Sequence, residues 1–199
     1  MPCSGSYLLN LWTELCVQSI YDQPVIVENA GVYIIAQLGD RVGLMQNFRM
    51  VGERLLPKAG VDYIKRLNKE KLWRELLSRL GRWCWEAPGG LVQFKEGDND
   101  DLEPQILRAA GREALEEAGF TIEDAHIVGR INTNPVFFLH SQYVVHAKVA
   151  LKGNACPDDL EIIGDRRFFT MQQLRELNRI GEFDSAPTMA ALALCGFSL

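Results

Sequence analysis

An α+β fold, with helices packed on a mixed β-sheet, is what this sequence predicts, on three observations. β-branched apolar runs and stretches of helical spacing both occur along the chain; they mix without a regular βαβ alternation; and Gly/Pro bends separate them.

Residues 5–17 have the spacing of a short amphipathic helix. PVIVENAGVYIIAQL (24–38) is β-branched and apolar, and VGLMQNFRM (42–50) follows the turn-like Gly39-Asp40, so the pair predicts a hairpin. Over 61–80, Ile64, Leu67, Leu72, Trp73, Leu76, Leu77 and Leu80 recur at helical spacing until Gly81. RWCWEAPGGLVQF (82–94) reads as two short strands around a Pro-Gly-Gly bend. After the acidic EGDNDD, a helix is expected from Pro104, which suits a first helical position, to Ala118. Strands follow at 125–132, 142–151 and 161–169. Thr170 and Gln173 make a capping box for a helix over 171–179 ended by Gly181, and a last helix covers about 186–196.

The 199 residues, 47% hydrophobic and 24% charged, suit one globular domain with an N-terminal helical extension over 1–23. No apolar run is long enough to span a membrane, and the N-terminus lacks a basic leader region. The five cysteines are scattered and contain no CxxC, which favours a reducing, cytoplasmic setting without disulfides or structural zinc. A net charge of −5 gives no general reason to expect nucleic-acid binding. Locally the balance reverses: residues 53–82 carry nine Lys/Arg against four acids. A solvated helix face, a basic rim for a phosphorylated substrate and an oligomer contact are all compatible with that.

The stretch REALEEAGF (112–120) crowds Glu113, Glu116 and Glu117 onto less than two helical turns, although like charges at i,i+4 cost about 0.2–0.5 kcal/mol. On a helical wheel Leu107, Ala110, Gly111, Ala114, Leu115 and Ala118 share the face expected to be buried. The three glutamates gather on an arc away from it. Gly111 costs about 1 kcal/mol of helix propensity, for which a close approach to the sheet is the expected return. Gly119 fits a left-handed helix terminus. The acidic arc is either a solvated surface or a site for a hard cation such as Mg²⁺, which takes carboxylate oxygens, waters and substrate phosphates.

GGLVQFKEGDNDDLEPQILRAAGREALEEAGF resembles the Nudix box, G-x5-E-x7-R-E-U-x-E-E-x-G-U, where U is apolar. Gly90 and Glu96 match its first part; Arg112, Glu113, Ala114, Glu116, Glu117, Gly119 and Phe120 match its second. Fifteen residues separate Glu96 from Arg112 where the pattern has seven, so either Glu96 or Glu103 stands for the first glutamate. GLMQNFRM and WCWEAPGG are similar to segments of the ADP-ribose pyrophosphatase branch. Pro135, fifteen residues after Phe120, has the placement typical of ADP-ribose hydrolysers.

The resemblance implies a Nudix-type α/β/α sandwich over 24–199, with the basic stretch at about 53–82 as a helical insertion. It further implies hydrolysis of a pyrophosphate bond, in ADP-ribose or a related nucleoside diphosphate sugar, with Mg²⁺ (or Mn²⁺) held by Glu113, Glu117, the carbonyl of Gly89 and Glu116. Glu116 could instead be the partner of Arg112, which would orient the glutamates. Arg49 and Glu86 would serve substrate binding, and Glu161, with Asp158 and Asp159 behind it, would supply the general base. The partner implied is a small-molecule nucleotide, and the assembly a homodimer. GDP-mannose or another nucleotide is the alternative substrate, and a non-catalytic nucleotide-binding module the alternative class. His126, His140 and His146 show no ligand spacing, and structural or surface roles are expected of them.

Overall fold

The computed structural model describes residues 16–20, 23–27, 29–49, 66, 69–70, 81–93, 101–133, 138–151, 153, 155 and 163–199. Most of the expected insertion and nearly all of the expected N-terminal helix lie outside them. At that helix's end Cys16–Ile20 is a strand instead, β1, paired antiparallel with β2 (Gln23–Val27). The apolar run expected as one strand over 24–38 is therefore split: β2 belongs to one sheet, and β3 (Gly31–Leu38) to another. β3 and β4 (Arg41–Arg49) form the expected hairpin through Gly39, whose φ of 63° suits glycine. The two strands around the Pro-Gly-Gly bend are β5 (Arg82–Glu86) and β6 (Gly89–Leu91), which pair with β4 and β3 respectively.

Helix α1 (Leu102–Ala118) leads into β7 (Phe120–Ile131), then β8 (Phe138–Leu139), β9 (Gln142–Leu151) and β10 (Ile163–Phe169). Helices α2 (Met171–Arg179) and α3 (Ala186–Leu194) close the chain. The larger sheet runs β10-β4-β3-β9-β7, with β5 and β6 attached, seven strands among the described residues. It is mixed because β3 and β9 run parallel while their other neighbours are antiparallel. β8 joins the smaller sheet, parallel to β2.

β3 is buried on both faces, which is why GVYIIAQL is nearly unbroken in its apolarity. Val32, Ile34 and Ala36 pack on one side with Ile106, Ala110 and Ala114 of α1. Ile35 packs on the other with Leu174 of α2 and Ala191 and Leu192 of α3. Alternation along one strand thus joins both helical layers, and each fully buried Ile or Phe contributes about 1.5–3 kcal/mol. The expected α/β/α layering, a mixed sheet between helices, is what forms.

Helix boundaries follow their caps. Asp101 accepts from the Glu103 N–H at 3.3 Å, so α1 starts at Leu102 and Pro104 sits inside its first turn. That position tolerates proline because the amide it lacks would have had no intrahelical partner. Thr170 and Gln173 form the expected capping box on α2. Gly119, at φ 65°, ends α1 with its N–H on the Leu115 carbonyl at 2.9 Å, and Phe120 is buried beyond it.

Two expectations for α1 are corrected. Its buried face is turned from the wheel's estimate: Glu113 and Glu117 are only 7% and 2% exposed, whereas Leu115 is 46% exposed. A side chain added at Gly111 would meet nothing within 4 Å, so close approach is not what Gly111 provides. The small residues that let the helix lie against the sheet are Ala110, Ala114 and Ala118, all fully buried.

Candidate active site

The inward turn of α1 presses two carboxylates against the Pro-Gly-Gly bend. The Gly89 N–H donates to Glu117 Oε2 at 2.7 Å. Glu113 lies so close to Gly90 that a Cβ there would stand 2.0 Å from its Oε1; at Gly89 a Cβ would stand 2.2 Å from the Val32 carbonyl oxygen. Two consecutive bare Cα atoms are therefore required, one for the carboxylate and one for β3.

Arg112 organises the rest of the acidic group. Its Nη2 donates to Glu113 Oε1 at 2.6 Å and to the Leu91 carbonyl at 3.2 Å, while Nη1 donates to Glu116 Oε2 at 2.8 Å. Burial opposes the guanidinium charge, but Glu113 and Glu116 outweigh it and its pKa is raised. Arg112 and the Gly89 amide thus offset the repulsion among the glutamates. Glu116, whose side chain is 40% exposed, is turned to Arg112.

Behind the bend, Arg49 grips Glu86 with a two-pronged ion pair, Nε donating at 3.1 and 3.0 Å and Nη2 completing the fork. β4 and β5 pair Met45 with Glu86 and Arg49 with Arg82, which puts Arg49 and Glu86 on one face of the sheet, and the long Arg49 side chain reaches along it to Glu86. Tyr33 lies nearby. Burial, then the negative Glu86, push its pKa up to about 12, with Arg49 opposing and Glu117 adding to the rise, so it remains a hydrogen-bond donor at neutral pH.

Tyr33, Arg49, Gly89, Gly90, His140 and Gln142 face a cleft of about 240 Å³. Glu113 and Glu117 adjoin it through the two glycines. Sequence reasoning missed Tyr33 and Gln142 and treated His140 as structural or surface. His140 is buried, its Nδ1 2.8 Å from the Asn29 carbonyl and its Nε2 2.5 Å from Gln142 Nε2. Nothing local marks these residues. The pairing of β3 with β6 sets Tyr33 opposite Gly89, and the parallel register of β3 and β9, which sets Gly31 beside Gln142, brings Gln142 and the adjoining His140 to the site.

Of the other expected site residues, Glu103 is exposed in the first turn of α1. Glu96, Pro135, Asp158, Asp159 and Glu161 lie outside the described residues. Among the described residues no three His, Cys, Asp or Glu side chains converge on a point a metal would occupy. Two buried carboxylates one helical turn apart, beside the Gly89 main chain, still match in donor chemistry what Mg²⁺ takes from proteins, where water and substrate phosphate complete the shell.

No protein-family model matches this sequence, and no curated protein matches it. A solved structure described as the crystal structure of an ADP compounds hydrolase is similar, with a TM-score of 0.56 and 18% identity, over 87% of this chain and 75% of that one. At that identity the likeness is one of fold. The architecture is the Nudix-type mixed sheet between helices.

Proposed function

We propose that this protein hydrolyses the pyrophosphate bond of ADP-ribose or a related nucleoside diphosphate sugar, giving AMP (or another nucleoside monophosphate) and a sugar phosphate. The observation that carries the reading is the burial of Glu113 and Glu117, at i and i+4, against the Gly89-Gly90 bend at the edge of a polar cleft. Carboxylates are expensive to bury unless something positive uses them. The similar structure's description as an ADP compounds hydrolase points the same way.

A pyrophosphate resists attack because its charged oxygens repel an anionic nucleophile. Mg²⁺ (or Mn²⁺), held by Glu113, Glu117 and the carbonyl of Gly89, would neutralise that charge and make a bound water more acidic. Arg112 holds the Glu113 carboxylate at its station and ties α1 to β6 through the Leu91 carbonyl. Arg49 spends one edge of its guanidinium on Glu86, and Nη1 is left to meet a phosphate oxygen. Tyr33, kept protonated, adds a donor. Glu161 takes the proton of the attacking water, and Pro135 serves the choice of substrate.

The test is incubation with ADP-ribose, GDP-mannose and other nucleoside diphosphate derivatives in Mg²⁺, following AMP or GMP release. Turnover of ADP-ribose is expected. Release of GMP alone would move the assignment to another nucleotide sugar; no turnover of any, with tight ADP-ribose binding, would make this a non-catalytic nucleotide-binding module. A cytoplasmic homodimer belongs to the same reading, and light scattering checks the assembly.

A further inference from the structure

We propose that Gln142 selects for diphosphates capped by a hydroxyl-bearing group, its side-chain carbonyl accepting a hydrogen bond from a sugar hydroxyl. The inference rests on the nucleotide-sugar reading above and names the discriminating residue within it.

The orientation of the Gln142 amide follows from its neighbours. The Asn29 carbonyl can only accept, so His140 Nδ1 carries a proton towards it at 2.8 Å. In the neutral ring Nε2 is then an acceptor, and Gln142 must present its N–H to it, at 2.5 Å. The remaining atom, Gln142 Oε1, is shielded from solvent and has no hydrogen-bond partner. A buried acceptor left unmade is costly, and here water does not reach it.

Its location says what could complete it. His140 and Gln142 share the cleft wall with Gly89 and Gly90. A Cβ built on Gly31 would lie 3.3 Å from Gln142 Cγ and 3.4 Å from the Gly90 carbonyl oxygen, so the glutamine stem runs beside the bend on which Glu113 is packed. A diphosphate held there sets its next group against Gln142. A small turn about the soft terminal torsion brings Oε1 to the cleft. A sugar hydroxyl donates to it. The terminal phosphate of a nucleoside diphosphate carries acceptors and negative charge, and meets an acceptor. Sites built to hydrogen-bond a substrate hydroxyl reject analogues that lack it, here by about tenfold or more.

The experiment is calorimetric titration of the full chain with ADP-ribose and with ADP, with Ca²⁺ replacing Mg²⁺ to suppress turnover. The wild type should bind ADP-ribose about tenfold or more tightly than ADP. Gln142→Met, close in shape but without the acceptor, should bring the two within about twofold, by weakening ADP-ribose and by relieving the clash of acceptors with ADP. Gln142→Asn, which withdraws the acceptor by one methylene, should narrow the gap as well and serves if the methionine variant does not fold. An undiminished preference in these variants, an equal affinity of the wild type for both ligands, or binding of neither overturns the proposal. The two readings separate cleanly. A preference that disappears in Gln142→Met, in a wild type that releases no AMP with Mg²⁺, upholds the selector and removes the hydrolase. ADP-ribose hydrolysis with the preference intact in Gln142→Met removes the selector alone.

Discussion

Gly90→Ala is the sharpest test of how the acidic pair is positioned. Gly90 does not have a positive φ, so an alanine can adopt its backbone and the perturbation is a clash. The new Cβ would stand 2.0 Å from Glu113 Oε1 and 2.4 Å from its Cδ, where ordinary non-bonded contact is about 3.5 Å. The carboxylate must retreat by about 1 Å or more, and Arg112 Nη2, 2.6 Å from the same oxygen, is drawn with it. A misplacement of that size costs on the order of 100-fold in rate. Because the displaced atoms end a flexible side chain, stability should fall by less than about 2 kcal/mol. The assay is kcat and KM for ADP-ribose over a Mg²⁺ titration, beside thermal unfolding of the same sample. A folded Gly90→Ala variant with kcat within about threefold of wild type would refute the claim that Glu113 acts from this position.

Other outcomes follow from the same geometry. Glu117→Gln keeps an oxygen for the Gly89 N–H but loses the charge, so activity should drop by about 100-fold or more with the melting temperature nearly unchanged; normal hydrolysis would void the metal assignment. Gly111→Ala meets open space and should stabilise by about 1 kcal/mol, raising the melting temperature by about 2–4 °C. A lower melting temperature would mean that position 111 has a packing role after all. Tyr33 carries its proton to about pH 12 when folded and loses it near 10 when unfolded. Its contribution is therefore full below pH 10 and is lost as pH rises towards 12, by about 2–3 kcal/mol. Urea unfolding at pH 9 and pH 11.5 should show Tyr33→Phe losing less stability between them than wild type, and equal losses would contradict its burial beside Glu86.

Local signals carried much of this molecule. The capping box at Thr170, the span of β9, the end of α1 at Gly119 and the bend at Gly89-Gly90 were legible because each depends on neighbours within a few residues. The box residues were legible too, for the spacing Arg112-Glu113-x-x-Glu116-Glu117 is itself local geometry. Which side of α1 faces inward was not. A wheel scores Leu115 as core and glutamate as surface, but burial is settled by what waits on the other side. The sheet offers Glu117 the Gly89 amide, Arg112 and Gly90 make room for Glu113, and Leu115 meets solvent. Arg49 and Glu86 could be named from the chain, yet their ion pair exists because strands far apart in sequence pair and set both side chains on one face. The same holds for Tyr33, which the pairing of β3 with β6 sets opposite Gly89, and for His140 and Gln142, which the parallel alignment of β3 and β9 brings to the glycine bend. Propensity and capping are written in neighbouring residues; partners for a buried charge are supplied by segments that meet when the sheet forms.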